Sequence, residues 1–149
     1  MNKLVRRILL GLLAALVIIQ LIPVDRSIPE LDGREDLFSI VPASAEIATL
    51  VKESCYDCHS YKSEYPWYSK VAPVSWWIQN HINEGRRHLN FSVWGSYPEK
   101  KADHKLEECV DELKEGKMPL PSFVRMHPEA DLTDTQRADL VAWFGSLRR

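Results

Sequence analysis

Cys55-Tyr56-Asp57-Cys58-His59 sets two thiols three residues apart and puts an imidazole directly after the second. Thiols at that spacing reach the two vinyl groups on one edge of a porphyrin, and the histidine that follows then lies under the iron. Three other chemistries use part of the pattern, and each needs something more. A structural zinc site needs a second knuckle, and the one cysteine elsewhere in the chain is Cys109. A redox dithiol sits at a helix N-terminus within a βαβ unit, whereas no run here alternates with the period of a strand. A disulfide between positions three apart closes almost no loop. The expected cofactor is therefore one covalently attached haem c per chain, with Cys55 and Cys58 as tethers and His59 as an iron ligand. Zinc or an unliganded pair are the alternatives.

The elements that must position this motif read as helices. Residues 44–54 carry Ile47, Leu50 and Val51 on one face behind a possible Ser44 cap, and deliver the chain into Cys55. A second helix is predicted from Ser75, after Pro73, to about Leu89, with Trp77, Ile78, His81, Ile82 and Leu89 inward. A third spans about 103–115, where Leu106, Cys109, Val110 and Leu113 recur at helical spacing and Gly116 is placed to stop it. A fourth opens with the capping-box pattern Thr133-Asp134-Thr135-Gln136 and carries Leu140, Val141, Trp143, Phe144 and Leu147. Pro66, Pro98, Pro119, Pro121 and Pro128 punctuate the connections. The fold class is all-α, a small helical domain with long loops of the kind that wrap a ligand.

Ahead of that domain, Lys3, Arg6 and Arg7 precede an apolar run from Ile8 to Ile22 interrupted only by Gln20. The A-x-A-like stretch after it, Ala43-Ser44-Ala45, lies some twenty residues too far along, and no lipoprotein cysteine follows the run, so residues 4–22 read as an uncleaved membrane-anchor helix, with cleavage the second option. The basic flank would stay in the cytoplasm and place residues 25–149 in the periplasm or its equivalent outside the membrane, the compartment where haem c is attached. The expected organisation is an anchor over 1–24, a Pro-rich linker over 25–42 and a haem-binding domain over 43–149. Removing the three N-terminal basic residues from the 19 Lys+Arg leaves 16 against 21 Asp+Glu, a net charge of −5. That acidic balance excludes a nucleic-acid partner.

The stretches "CYDCHSYKSEYPWYSKVAPVSWWIQNHINEGRRHLNFSVW" and "GKMPLPSFVRMHPEADLTDTQ" resemble the bacterial haem-binding domain family with a single CxxCH, across roughly residues 35–147. They also resemble class I c-type cytochromes in having a helix before CxxCH, a late Met-Pro loop and an aromatic C-terminal helix. The departure from those is the aromatic insert from Tyr61 to Tyr97. The resemblance and the loop "GKMPLP" together point to Met118 as the sixth iron ligand, since a weak thioether donor needs a held backbone. Met126, His127, His81 and His88 are the rival ligands, while His104 is expected in solvent. Cys109 is expected as a small buried hydrophobe. Tyr65, Trp67, Tyr68, Trp76 and Trp77 are candidate cofactor walls, and one of Arg86 and Arg87 a candidate propionate partner. The resulting expectation is a membrane-anchored mono-haem c-type protein that passes single electrons to membrane or periplasmic redox proteins. The alternative is a haem-based sensor or small haem peroxidase with an exchangeable distal ligand.

Overall fold

The computed structural model describes residues 2–149 and contains helices and loops, with no strand among the described residues. Its α-helices are α1 (Lys3–Ile19), α2 (Leu37–Ile40), α3 (Ala45–Val51), α4 (Asp57–His59), α5 (Val74–His88), α6 (Glu99–Lys114), α7 (Pro121–Val124) and α8 (Asp134–Ser146). A π-helical segment, Lys52–Tyr56, joins α3 to α4 without a break, so one helix runs from Ala45 to His59. The expected end of this helix at residue 54 is thus moved to residue 59, and the CxxCH motif is itself helical.

Local chemistry explains where most elements begin and end. Ser44 accepts from the Ile47 N–H at the start of α3, and Thr133 and Gln136 complete a reciprocal capping box at the start of α8. Helix α6 stops at Gly116, whose φ of 67° lies in the left-handed region. There the Lys117 N–H donates to the Glu112 carbonyl and the Gly116 N–H to that of Leu113, the paired bonds of a Schellman end.

The core forms where α6 and α8 pack together and α3 closes over α8. Leu50, Val51, Leu106, Val110, Leu140 and Phe144 meet there. An aromatic stack crosses it: Phe38 on Tyr56 (5.6 Å), Tyr56 on Phe91 (5.4 Å) and Phe91 on Phe144 (6.4 Å). Helix α5 buries Ile82, with Leu89 just past its end, as expected, but the rest of its inner face differs. Its buried face is Ser75, Gln79 and Ile82, whereas Trp77 is half exposed. Gln79 is satisfied rather than stranded: it accepts from the Tyr65 hydroxyl and donates to Asn83.

The stretch expected as a linker, 25–42, divides. From Glu35 onward it packs into the domain: the Gly95 N–H donates to the Glu35 carbonyl, Leu37 is fully buried, and buried Asp36 accepts from the Tyr56 hydroxyl and pairs with Lys62. The N-terminal helix is shorter than the expected span over 4–22. It ends at Ile19, and turn-type bonds carry the chain on to Ile22. No helix among the described residues is long and apolar enough to cross a membrane; where a membrane-anchor helix over 4–22 was expected, the structure has a shorter apolar one. None of the α1 residues is buried against the domain. Beyond its end, the Gln20 side chain donates to the Ala72 carbonyl (3.0 Å) and accepts the Ala72 N–H (2.9 Å).

If Leu37 belongs to the core, Leu37→Ala should cost about 2–5 kcal/mol in urea unfolding of the full chain. A loss below about 1 kcal/mol would return residues 35–41 to the linker.

Candidate functional site

A cavity of about 550 Å³ opens between the end of the Ala45–His59 helix, α5, α6 and the loop after Gly116. Cys55, Cys58, His59 and Met118 all line it, so the structure brings together the four residues that the sequence put forward. The site is otherwise apolar where Leu89, Phe91, Leu113, Pro119, Phe123 and Phe144 form its walls, and polar at Glu84, Glu108, Glu112 and Lys105.

His59 is the most constrained of the four. Its Nδ1 lies 3.0 Å from the Gly85 carbonyl and 3.1 Å from that of Leu89, in the last turn of α5. Two acceptors fix Nδ1 as the protonated nitrogen, which leaves Nε2 with its lone pair. Burial pushes the imidazole below its usual pKa, against the opposing effect of these two hydrogen bonds, so the ring is neutral. A neutral imidazole with a lone pair on Nε2 is the form that binds a metal ion.

The two thiols are free of any disulfide. Burial pushes Cys55 up to about 12, with the nearby Cys58 adding to it, and Cys58 up to about 11, with Asp57 adding to it. Both are therefore protonated thiols at neutral pH. Cys109 lines the same cavity, and its pKa is also raised by burial. Cys109, expected as a small buried hydrophobe, is half-buried: it packs against the core and also stands on the wall of the site.

The close fit of α5 against the motif depends on Gly85. A Cβ there would stand 2.6 Å from the Cys58 carbonyl oxygen, well inside van der Waals contact. Met118 is held through its backbone. Its N–H donates to the Glu112 carbonyl (3.3 Å), and Arg137 of α8 donates to its carbonyl (2.7 Å) and to that of Leu113 (3.0 Å). Gly85 carried a weak signal in the sequence, as a glycine inside a helical period. Arg137 carried none, because its role depends on two carbonyls remote in the chain.

Other expectations sort differently. His81 and His88 do line the cavity. The His81 Nδ1–H donates to the Trp77 carbonyl, and His88 sits beside Glu84 and Arg87. Met126 is exposed, and His127 lies outside the cavity lining, between the Tyr68 hydroxyl and Glu129. None of Tyr65, Trp67, Tyr68, Trp76 and Trp77 lines the cavity, whose aromatic walls are Phe91, Phe123 and Phe144. Arg86 is engaged by the Ser60 carbonyl and the Ser63 hydroxyl, and Arg87 by Glu84. His104 is on the surface near Glu107 and Glu108.

The donors fit a haem. An imidazole nitrogen and a thioether sulfur are ligands that haem iron takes, and the cavity volume falls in the range of small-molecule sites. One buried polar atom of the lining, Ser54 Oγ, has no partner within the chain. No group of three or more His, Cys, Asp or Glu that could hold a bare metal ion occurs among the described residues. A helical domain closed on an apolar cavity with these donors belongs to the haem-carrying class of small all-α proteins. Residues 14–146 match the model of the haem-binding domain family, and the chain belongs to that family. No curated protein and no solved structure matches it.

Gly85→Ala should separate α5 from the motif, lowering stability by about 1–3 kcal/mol and reducing the yield of haem-loaded protein. Gly145→Ala, where nothing lies within 4 Å of a new Cβ, is the control and should be neutral or stabilising. Equal effects of the two would refute the close-approach account. Because the folded-state pKa of His59 lies below its ordinary 6.5, the unfolded chain takes up that proton first on acidification. Stability of the haem-free protein should therefore be lost as pH falls below about 6.5 and through the folded pKa. His59→Asn should flatten the dependence of the urea midpoint on pH in that window, and an unchanged slope would contradict a buried neutral ring.

Proposed function

We propose that this chain is a mono-haem protein of the c type, tethered to the cytoplasmic membrane, that passes single electrons on the membrane's outer side. The observation that carries the proposal is the convergence on one cavity of Cys55, Cys58, an imidazole with a free Nε2 and a backbone-clamped Met118. Cys55 and Cys58 would supply the thiols for two thioether links to the cofactor. His59 Nε2 would be one iron ligand, and the carbonyls of Gly85 and Leu89 keep its ring from turning. Met118 would be the other, with Arg137 fixing its loop. When bound, haem supplies a one-electron couple, and ligation by histidine and methionine raises its potential into the range of electron carriers.

The apolar helix α1, with its large side chains exposed, supports the tether, and the three basic residues at its start support the orientation. Its partners are then redox proteins in or beside the membrane. A second reading has one observation in its favour. His81 also faces the cavity with Nδ1 committed to a backbone carbonyl, which leaves an Nε2 that would suit a sensor or small peroxidase with an exchangeable distal ligand.

Absorbance spectra of protein matured with a c-type attachment system decide between the two. The carrier should be low-spin and six-coordinate, with a methionine–iron charge-transfer band and haem retained through acid–acetone extraction. Met118→Ala should abolish the band with the haem still attached, Arg137→Ala should weaken it, and His81→Ala should leave it intact. A high-spin form that readily binds carbon monoxide, or a band lost in His81→Ala alone, would favour the second reading. Haem extracted by acid–acetone would overturn thioether attachment.

A further inference from the structure

Beyond residue 22, four of the eight exposed large apolar residues fall in a single short stretch: Trp67, Val71, Val74 and Trp77. They lie where a 3₁₀ turn, Trp67–Lys70, leads into α5. Isolated exposed hydrophobes need no explanation, but half of a domain's exposed apolar side chains gathered in one stretch do.

The same stretch receives the end of the N-terminal segment. Residues alternating with the exposed four bind it. The Ala72 N–H and carbonyl are both taken by the Gln20 side chain amide. The Ser69 carbonyl accepts from Arg26, and Trp76 Nε1–H donates to the Ile22 carbonyl. The Arg26 guanidinium also lies over the Tyr65 ring, 4.1 Å from its centroid. The chain leaving α1 is thus fastened to residues 65–76 by contacts on both sides of Pro23. Because α1 is apolar and exposed along its length, whatever apolar phase receives α1 must also meet the exposed side chains around its docking point.

We propose that Trp67, Val71, Val74 and Trp77 form a platform seated in the interfacial layer of the same bilayer that receives α1. This rests on the tether reading above and adds to it that the domain is held against the membrane in one orientation. Two tryptophans suit this position, since the indole has an apolar body and a polar N–H and is enriched at the water–lipid boundary. Lys70, between the platform residues, supplies a cation beside headgroup phosphates. A protein partner would use the same four side chains, but nothing in α1 would then explain why they surround its anchorage.

The test uses the full haem-loaded chain in vesicles of phosphatidylethanolamine and phosphatidylglycerol, with a trace of phospholipid bearing an acyl-chain diazirine. After irradiation, adducts are mapped by mass spectrometry and expressed as the ratio of residues 67–77 to residues 3–22. Adducts are expected in both segments. Trp67→Gln combined with Trp77→Gln, both at exposed positions, should cut the ratio several-fold with α1 labelling unchanged, and Gln20→Ala should lower it also. Labelling confined to residues 3–22 in the unmodified chain would overturn the platform and leave the tether standing, as a protein-docking face would. Failure of the protein to float with the vesicles would remove the tether and, with it, the platform.

Discussion

The hydrogen bonds from His59 to the last turn of α5 are the constraint from which the rest of the site follows. The Gly85 carbonyl already accepts the Leu89 N–H, and the imidazole N–H of His59 shares it while also reaching the carbonyl of Leu89 just past the helix end. This contact sets the tautomer of the ring and draws two helices together. Because the acceptors sit at the negative end of a helix dipole, they also increase the electron density of the imidazole and so strengthen Nε2 as a donor. The absence of a side chain at residue 85 is what lets this geometry form, since any Cβ would strike the carbonyl of Cys58.

The opposite wall is built on a different logic. Met118 sits on a loop with no regular structure, and its position is secured by donors and acceptors from α6 and α8. Arg137 does double work there, because its guanidinium bridges the end of α6 and the start of the loop. The packing of α6 on α8 therefore fixes the Met118 side of the cavity. Core stability and cofactor geometry are coupled through those two helices, whose interface also contains Phe144, a residue of both the core and the cavity wall.

The parts legible in the sequence were those written in short-range chemistry. The glycine stop of α6 and the capping box of α8 are decided within a few residues, and both stand where expected. The inner face of α5 was read in part: Ile82 and Leu89 are buried as expected, but Ser75 and Gln79 complete that face, and Gln79 is held by a tertiary hydrogen bond that no hydrophobic period records. Trp77, expected inward, is half exposed, and the aromatics nominated as cofactor walls lie outside the cavity lining. Phe91 escaped notice there because it lies in a 3₁₀ segment, where neither helical nor strand periodicity applies. Leu37 was passed over for a related reason, as one apolar residue in a Pro-rich stretch gives no pattern. Proximity of Cys109 to the cavity could not be read either, since a residue on the edge of an apolar stripe points to core and cavity alike.

The π-helical segment between Leu50 and Cys58 gives the long helix a property that an unbroken α-helix would lack. A wider turn accommodates about one extra residue, and each residue in an α-helix advances the face by about 100°. The stripe that begins with Leu50 and Val51 is therefore thrown out of phase with the stripe that ends in Cys58 and His59. The first half of the helix packs against α8 and the second against α5, which lie in different directions. A single rod of chain thus works as two gears set at an angle on one shaft, with Tyr56 buried at the joint between Phe38 and Phe91. A deletion ahead of Cys55 that restored ordinary winding would keep the spacing within the motif and turn it away from the cavity.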